Sequence, residues 1–165
     1  MIQRVLIPLD GSVQAERVLS RARAFFGAPG REFNLLAVVD MEGRIADQTV
    51  PITCSGHRAK QYLAAVAKKL ADHGVLVATD VRFGPAAEKI LEHARDHHVD
   101  VIAMSTHGRS GLERVVRGSV AEAVLRGANV PVFLARSGED ARPQDRTAAG
   151  RRILVPLDGS AGSEA

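Results

Sequence analysis

Short apolar runs alternate with longer stretches of helical period along this chain, and that alternation leaves it few folds. Strand-length segments run from Arg4 to Leu9, Phe33 to Val39, Val75 to Phe83, Val99 to Met104 and Val130 to Ala135. A strand covered on both faces has no polar side to show, so near-continuous apolar runs point to a parallel sheet buried between helices. Between the runs, apolar residues recur at three-to-four spacing: Ala15, Val18, Leu19, Ala22, Phe25 and Phe26, then Tyr62, Leu63, Val66 and Leu70, then Ile90, Leu91 and Ala94. Parallel neighbours need a crossover, and each helix supplies one. The pattern predicts an α/β fold: a doubly wound, Rossmann-like, five-stranded parallel sheet of order 3-2-1-4-5 with helices on both faces. Its ligand crevice belongs at the switch in strand order, beyond the strands' carboxyl ends.

Turn chemistry sets the boundaries. The first helix should stop near Gly27 and Pro29, and the second at Gly74, where the missing Cβ suits a left-handed cap. Gly84-Pro85 opens the third helix, and Ser119-x-x-Glu122 opens the fourth with the spacing of a capping box. Asp40 to Ser55 is polar and unpatterned, so a loop over the sheet's carboxyl edge is expected there. It contains Cys54, the only cysteine, which excludes an internal disulfide and suits a reducing compartment. No neighbour in sequence lowers its pKa, so it reads as an inert free thiol.

The fourth strand runs into Ser105-Thr106-His107-Gly108-Arg109-Ser110-Gly111, and Gly118-Ser119-Val120-Ala121-Glu122 follows seven residues later at the helix start. Strand, glycine-rich loop and helix start form a phosphate cradle. Glycines let backbone approach a ligand, and the free N–H groups and dipole of the helix favour an anion. The loop is also longer than most strand-to-helix connections, which marks it as functional.

With 165 residues the chain can bury one ordinary core but not two. Aromatic residues make up only 4%, so that core must be aliphatic. Twenty-two Lys and Arg against nineteen Asp and Glu leave +3, with the basic residues dispersed along the chain and no aromatic-basic motif. Nucleic acid is not an expected partner. The N-terminal apolar run is too short for a signal peptide and no run reaches membrane-spanning length, so no membrane partner is expected and the cytoplasm is the default location.

Arg152-Ile153-Leu154-Val155-Pro156-Leu157-Asp158-Gly159-Ser160 repeats Arg4-Val5-Leu6-Ile7-Pro8-Leu9-Asp10-Gly11-Ser12 almost position for position. Residues 1–136 therefore read as one complete domain, 137–150 as a polar linker and 151–165 as the first strand of a second copy. A lone strand has no sheet of its own, so it is expected either disordered or paired at a sheet edge.

The opening Val5-Leu6-Ile7-Pro8-Leu9-Asp10-Gly11-Ser12, the loop from Ser105, the run from Gly118 and the closing Val130-Pro131-Val132-Phe133-Leu134-Ala135-Arg136 together resemble the universal stress protein family. The resemblance spans Met1 to Arg136, and the repeat at Arg152 is similar to the family's tandem two-domain form. It implies ATP binding with Mg or Mn. Gly108, the nine residues Arg109 to Arg117, and Gly118-Ser119 match the ATP-binding branch, while Ser105 stands where that branch has its first glycine. Carried over, the resemblance implies that Asp10, with Pro8 beside it, meets the ribose and adenine end, and that Val38 and Val39 flank the adenine. Met104, Ser105 and Gly108 would line the ribose and phosphates. Gly118, Ser119, Val120 and Ala121 would hold the phosphates, with Arg109 a further candidate. It also implies pairing of subunits through the edge of the fifth strand.

Plainer readings stand beside these. Asp10-Gly11-Ser12 can serve simply as a turn with Asp10 or Ser12 capping the first helix. His93 and His97 have metal-ligand spacing, but no carboxylate or cysteine partner is evident in the sequence, and a helix C-terminus favours histidine through its dipole. His107 lies in the loop without a partner for acid–base work.

Three functions compete. One is a nucleotide-binding stress-response regulator or sensor, not an efficient enzyme and at most a slow ATPase, since no catalytic lysine or metal-binding carboxylate pair is evident. Another is a dimeric interaction module without nucleotide, which Ser105 supports. An adenylyl-transferring enzyme is the third, and it lacks the histidine pair or pyrophosphate loop it would need near the first strand.

Overall fold

The computed structural model describes residues 2–40, 44–45, 48–49, 52–71, 74–106 and 119–136. In chain order the elements are β1 (Arg4–Pro8), α1 (Val13–Phe26), β2 (Glu32–Val39), β3 (Arg44–Ile45), β4 (Gln48–Thr49), α2 (Ile52–Ala71), β5 (Leu76–Phe83), α3 (Ala86–Asp96), β6 (Val101–Thr106), α4 (Ser119–Gly127) and β7 (Val132–Arg136). Strand pleating sends alternate side chains into two cores. Val5 and Ile7, Phe33 and Leu35, Val101 and Ala103 face one side, where Val18 and Ala22 of α1 and Leu63 and Val66 of α2 meet them. Leu6, Leu36, Ile102 and Met104 face the other, against Ile90 and Ala94 of α3 and Val124 of α4. Each fully buried Leu, Ile, Val or Phe contributes about 1.5–3 kcal/mol.

The five long strands are all parallel in the order β5-β2-β1-β6-β7, which is the 3-2-1-4-5 arrangement, with helices on both faces. The chain steps outward from β1 to β2 and β5, then α3 carries it back across to β6 on the far side of β1. The switch point thus lies between β1 and β6. Proline chemistry opens it. Leu9 N–H donates to Leu36 O of β2 at 2.8 Å. Successive N–H groups of a strand point to opposite sides, so that of residue 8 would point toward β6, and Pro8 has none. The β1–β2 register continues to Pro8, whereas the β1–β6 register stops at Leu6.

The expected loop from Asp40 to Ser55 is partly regular. Arg44–Ile45 and Gln48–Thr49 pair as a two-rung antiparallel hairpin, too short for periodicity to reveal. Helix α2 begins at Ile52, so Cys54 lies on a helix rather than in a loop. Apolar periodicity misses this first part because small residues take the place of large ones. Ser55 is fully buried, and a Cβ on Gly56 would stand 2.8 Å from Phe83 Cζ, so small side chains here let α2 close on β5. Phe25, expected inward, is 50% exposed and rests on Phe133 of β7 with ring centres 5.2 Å apart. Among the described residues no helix is long and apolar enough to cross a membrane. The linker and repeat at 137–165 lie outside the described residues.

Candidate functional site

Beyond β1 the backbone turns sharply into α1. Gly11 takes φ +85°, a conformation that suits a residue without Cβ. Asp10 Oδ1 accepts from Ser12 N–H at 2.9 Å, and Ser12 Oγ accepts from Ala15 N–H at 3.1 Å as the N-cap of α1. The plain reading of Asp10-Gly11-Ser12 as turn and cap therefore holds. It does not exhaust Asp10, because a carboxylate offers about four acceptor sites and this turn uses one of them.

A cavity of about 200 Å³ opens at this end of the sheet, on the α3/α4 side of β1. Pro8, Leu9 and Asp10 at the end of β1 form one wall, with Ala15 of α1 behind them. Leu36 and Val38 of β2 and Met104 and Ser105 of β6 supply the sheet surface. Ala86 and Ile90 of α3 stand across from Ser119, Val120 and Ala121, the first turn of α4. The interior is mostly aliphatic, with polar groups from Asp10, Ser105 and Ser119. The first turn of a nine-residue helix brings N–H groups without intrahelical partners and the positive end of its dipole. An apolar slot, one carboxylate and a helix start can hold a flat ring, hydroxyls and an anion respectively.

Of the residues singled out from sequence, Pro8, Asp10, Val38, Met104, Ser105, Ser119, Val120 and Ala121 surround this one cavity. Val39 does not. It follows Val38 on a pleated strand, so its side chain is turned through the sheet and sits fully buried in the α1/α2 core. Gly108, Arg109 and Gly118 lie outside the described residues. Sequence reasoning missed Leu36, which the alternation with Val38 could have signalled, and Ala86 and Ile90, which only the crossover of α3 brings here. The capping-box expectation at the start of the fourth helix turns partly on Gly118, which lies outside the described residues. Among the described residues α4 runs from Ser119, and Glu122 Oε1 accepts from Arg126 Nη2 at 2.7 Å, one turn onward.

The other titratable cluster lies away from the cavity. His93 is 2% exposed, its ring stacked on that of His97 at 3.9 Å. Its Nδ1 is 3.2 Å from Asp80 Oδ2, but the alignment is poor and neither ring nitrogen has a hydrogen-bond partner among the described residues. Burial pushes its pKa down, reinforced by His97 and Arg82, against the opposing pull of Asp80. No group of three or more His, Cys, Asp or Glu side chains that could hold a metal occurs among the described residues. On the α1/α2 side, burial and the nearby Glu16 and Asp10 push the Tyr62 hydroxyl pKa well up, keeping it neutral.

Comparison with known proteins places these features in context. The model of the universal stress protein family matches residues 1–136. Universal stress protein MJ0577 of Methanocaldococcus jannaschii is 29% identical over 156 residues, covering 82% of this chain and 96% of the relative. The solved structure of MJ0577 superposes with a TM-score of 0.69 at 28% identity, covering 85% of this chain and 99% of that one. The fold is shared by a family protein from Arabidopsis thaliana solved with AMP bound, at TM-score 0.63 and 16% identity over 87% of this chain and 97% of that one. A universal stress protein in complex with cAMP also has TM-score 0.63 and 16% identity, over 82% and 97% of the two chains.

Proposed function

The chain belongs to the universal stress protein family, and on that premise we propose that it binds an adenine nucleotide, ATP, at the switch point and serves as a cytoplasmic stress-response regulator or sensor. The observation that carries this reading is the cavity at the end of β1, which combines an aliphatic slot, the Asp10 carboxylate and the first turn of α4. Relatives of the same fold were solved with AMP and with cAMP. In this reading the base lies over Val38 and Ile90, and Asp10 accepts from the ribose hydroxyls. The phosphates lie at the N–H groups of Ser119, Val120 and Ala121, with Gly108, Arg109 and Gly118 completing the cradle. About 200 Å³ suits the nucleoside part of such a ligand.

A divalent cation, Mg or Mn, would be held by the phosphate oxygens and water, because Asp10 is the only carboxylate lining the cavity among the described residues. The same scarcity of acid–base groups argues for a bound state that signals rather than for turnover, with hydrolysis slow at most. The repeat at Arg152 is read as the opening of a second copy of the domain. Subunits would pair through β7, an edge of the sheet.

Calorimetric titration with ATP, ADP and AMP, each with and without magnesium, tests the proposal. At a hundred times Kd, ligand binding adds about 2.7 kcal/mol, a rise in Tm of about 5–10 °C for a chain of this size. Neither heat nor a shift in Tm up to millimolar nucleotide would leave the second reading, a dimeric interaction module of the same fold, whose mark is a sedimenting dimer indifferent to nucleotide.

A further inference from the structure

Basic residues that look scattered along the sequence are gathered by the fold onto one face. Helices α1 and α2 cover the same side of the sheet. Together they carry seven Lys and Arg (Arg17, Arg21 and Arg23, then Arg58, Lys60, Lys68 and Lys69) against the single Glu16. Helices α3 and α4, on the opposite side, carry three Lys and Arg against four acidic residues. Six of the seven cations on the α1/α2 side are exposed.

This face is also concave. A close approach joins α3 to α4, where a Cβ on Gly127 would stand 2.5 Å from Leu91 Cδ1. By contrast, α1 and α2 leave a groove of about 250 Å³ between them. Leu19, Val66 and Leu70 floor it, Arg23 and Lys69 stand on its two walls, and Glu16 closes one end. Arg58 lies on the same flank of α2 as Lys69, three helical turns back.

We propose that this groove docks an acidic, leucine-bearing helical segment of a partner protein, with apolar side chains on the floor and carboxylates against Arg23, Lys69 and Arg58. The shape decides among polyanions. A bilayer requires apolar side chains that protrude past the cations, and in this groove Val66 and Leu70 are buried beneath the exposed Arg23 and Lys69. A nucleic acid strand requires stacking surfaces or a groove-reading element and has little to set on an aliphatic floor. An amphipathic acidic helix satisfies floor and walls together, as helix-in-groove recognition requires. Charges of this kind steer encounter and fix register.

The test uses the full chain and a labelled helical peptide of about 20 residues with Leu and Glu at helical spacing, read by fluorescence anisotropy. Parallel arms use anionic phosphatidylglycerol vesicles and a duplex oligonucleotide. Micromolar binding of the peptide is expected, weakened by added salt and by about tenfold or more in R23E/K69E. The same variant should keep its melting temperature and its response to ATP, which separates this site from the cavity across the sheet. The proposal is overturned if the peptide fails to bind, if R23E/K69E binds it as tightly, or if vesicles or duplex bind in its place.

Discussion

Replacing Asp10 separates its service in the turn from its proposed service to a ligand. Asp10→Asn keeps the Oδ1 acceptor that holds Ser12 N–H at 2.9 Å and removes only the charge. Its Tm should stay within about 1 °C, because the turn survives. Asp10→Ala removes the acceptor as well. An exposed hydrogen bond of this kind contributes about 1 kcal/mol, so this variant should melt about 2–4 °C lower. Ligand affinity should follow a different order. A hydrogen bond to a charged acceptor contributes about 1.5–3 kcal/mol, so both variants should bind ATP about 10- to 100-fold more weakly. An opposing effect is smaller. The carboxylate repels bound phosphates, but at about 10 Å in water that amounts to about 0.4 kcal/mol per phosphate charge, which screening over about one Debye length cuts to a fraction. Loss of the ribose contact therefore wins. Because AMP carries the same ribose, the factor should be equal for AMP and ATP by calorimetry. If Asp10→Asn binds ATP as tightly as the parent, or more tightly, then Asp10 faces phosphate or nothing, and the placement of the nucleoside is wrong.

Gly118→Val should abolish ATP binding while circular dichroism stays near native, since a branched side chain in the proposed phosphate cradle would block the phosphates; undiminished affinity would mean that the phosphates lie elsewhere. His93 should make the fold sensitive to mild acid. Its folded pKa is lowered from 6.5, so below that pH the unfolded chain takes up a proton that the folded one refuses, and stability falls as pH falls through this window. Chemical denaturation between pH 5 and 7 should show that slope, and His93→Phe should flatten it; a variant that keeps the parent's slope would assign it to other groups. Asp100 Oδ2 accepts from the N–H groups of both Gln3 and Arg4, at 2.7 and 2.8 Å, and these bonds hold its pKa below 3.8. Asp100→Asn should lower Tm by about 2–4 °C, and the parent should lose the same increment only when the pH drops below about 4.

Local patterning made most of the architecture legible. Five apolar strand runs and the helical periods between them were enough for the sheet order, because a right-handed crossover permits few alternatives. Pattern failed where burial is achieved by small or polar residues. Ser55 is fully buried and Gly56 lies close against Phe83 of β5, yet neither carries the apolar signal that marks a buried helix face. Two neighbouring valines, Val38 and Val39, read alike in sequence. The pleat gives the first to the cavity and the second to the opposite core.

Read alone, the chain determined its fold class, the turn at Asp10-Gly11-Ser12 and the strand ends at which the cavity opens, because these follow from periodicity and backbone chemistry within a few residues. Only the tertiary structure decided which side chains share a space. It brought Ala86 and Ile90 of α3 to the cavity, enclosed His93 and collected the cations of α1 and α2 on one side. Those juxtapositions depend on which face of the sheet each helix covers, and that is set by the crossing of segments far apart in the chain.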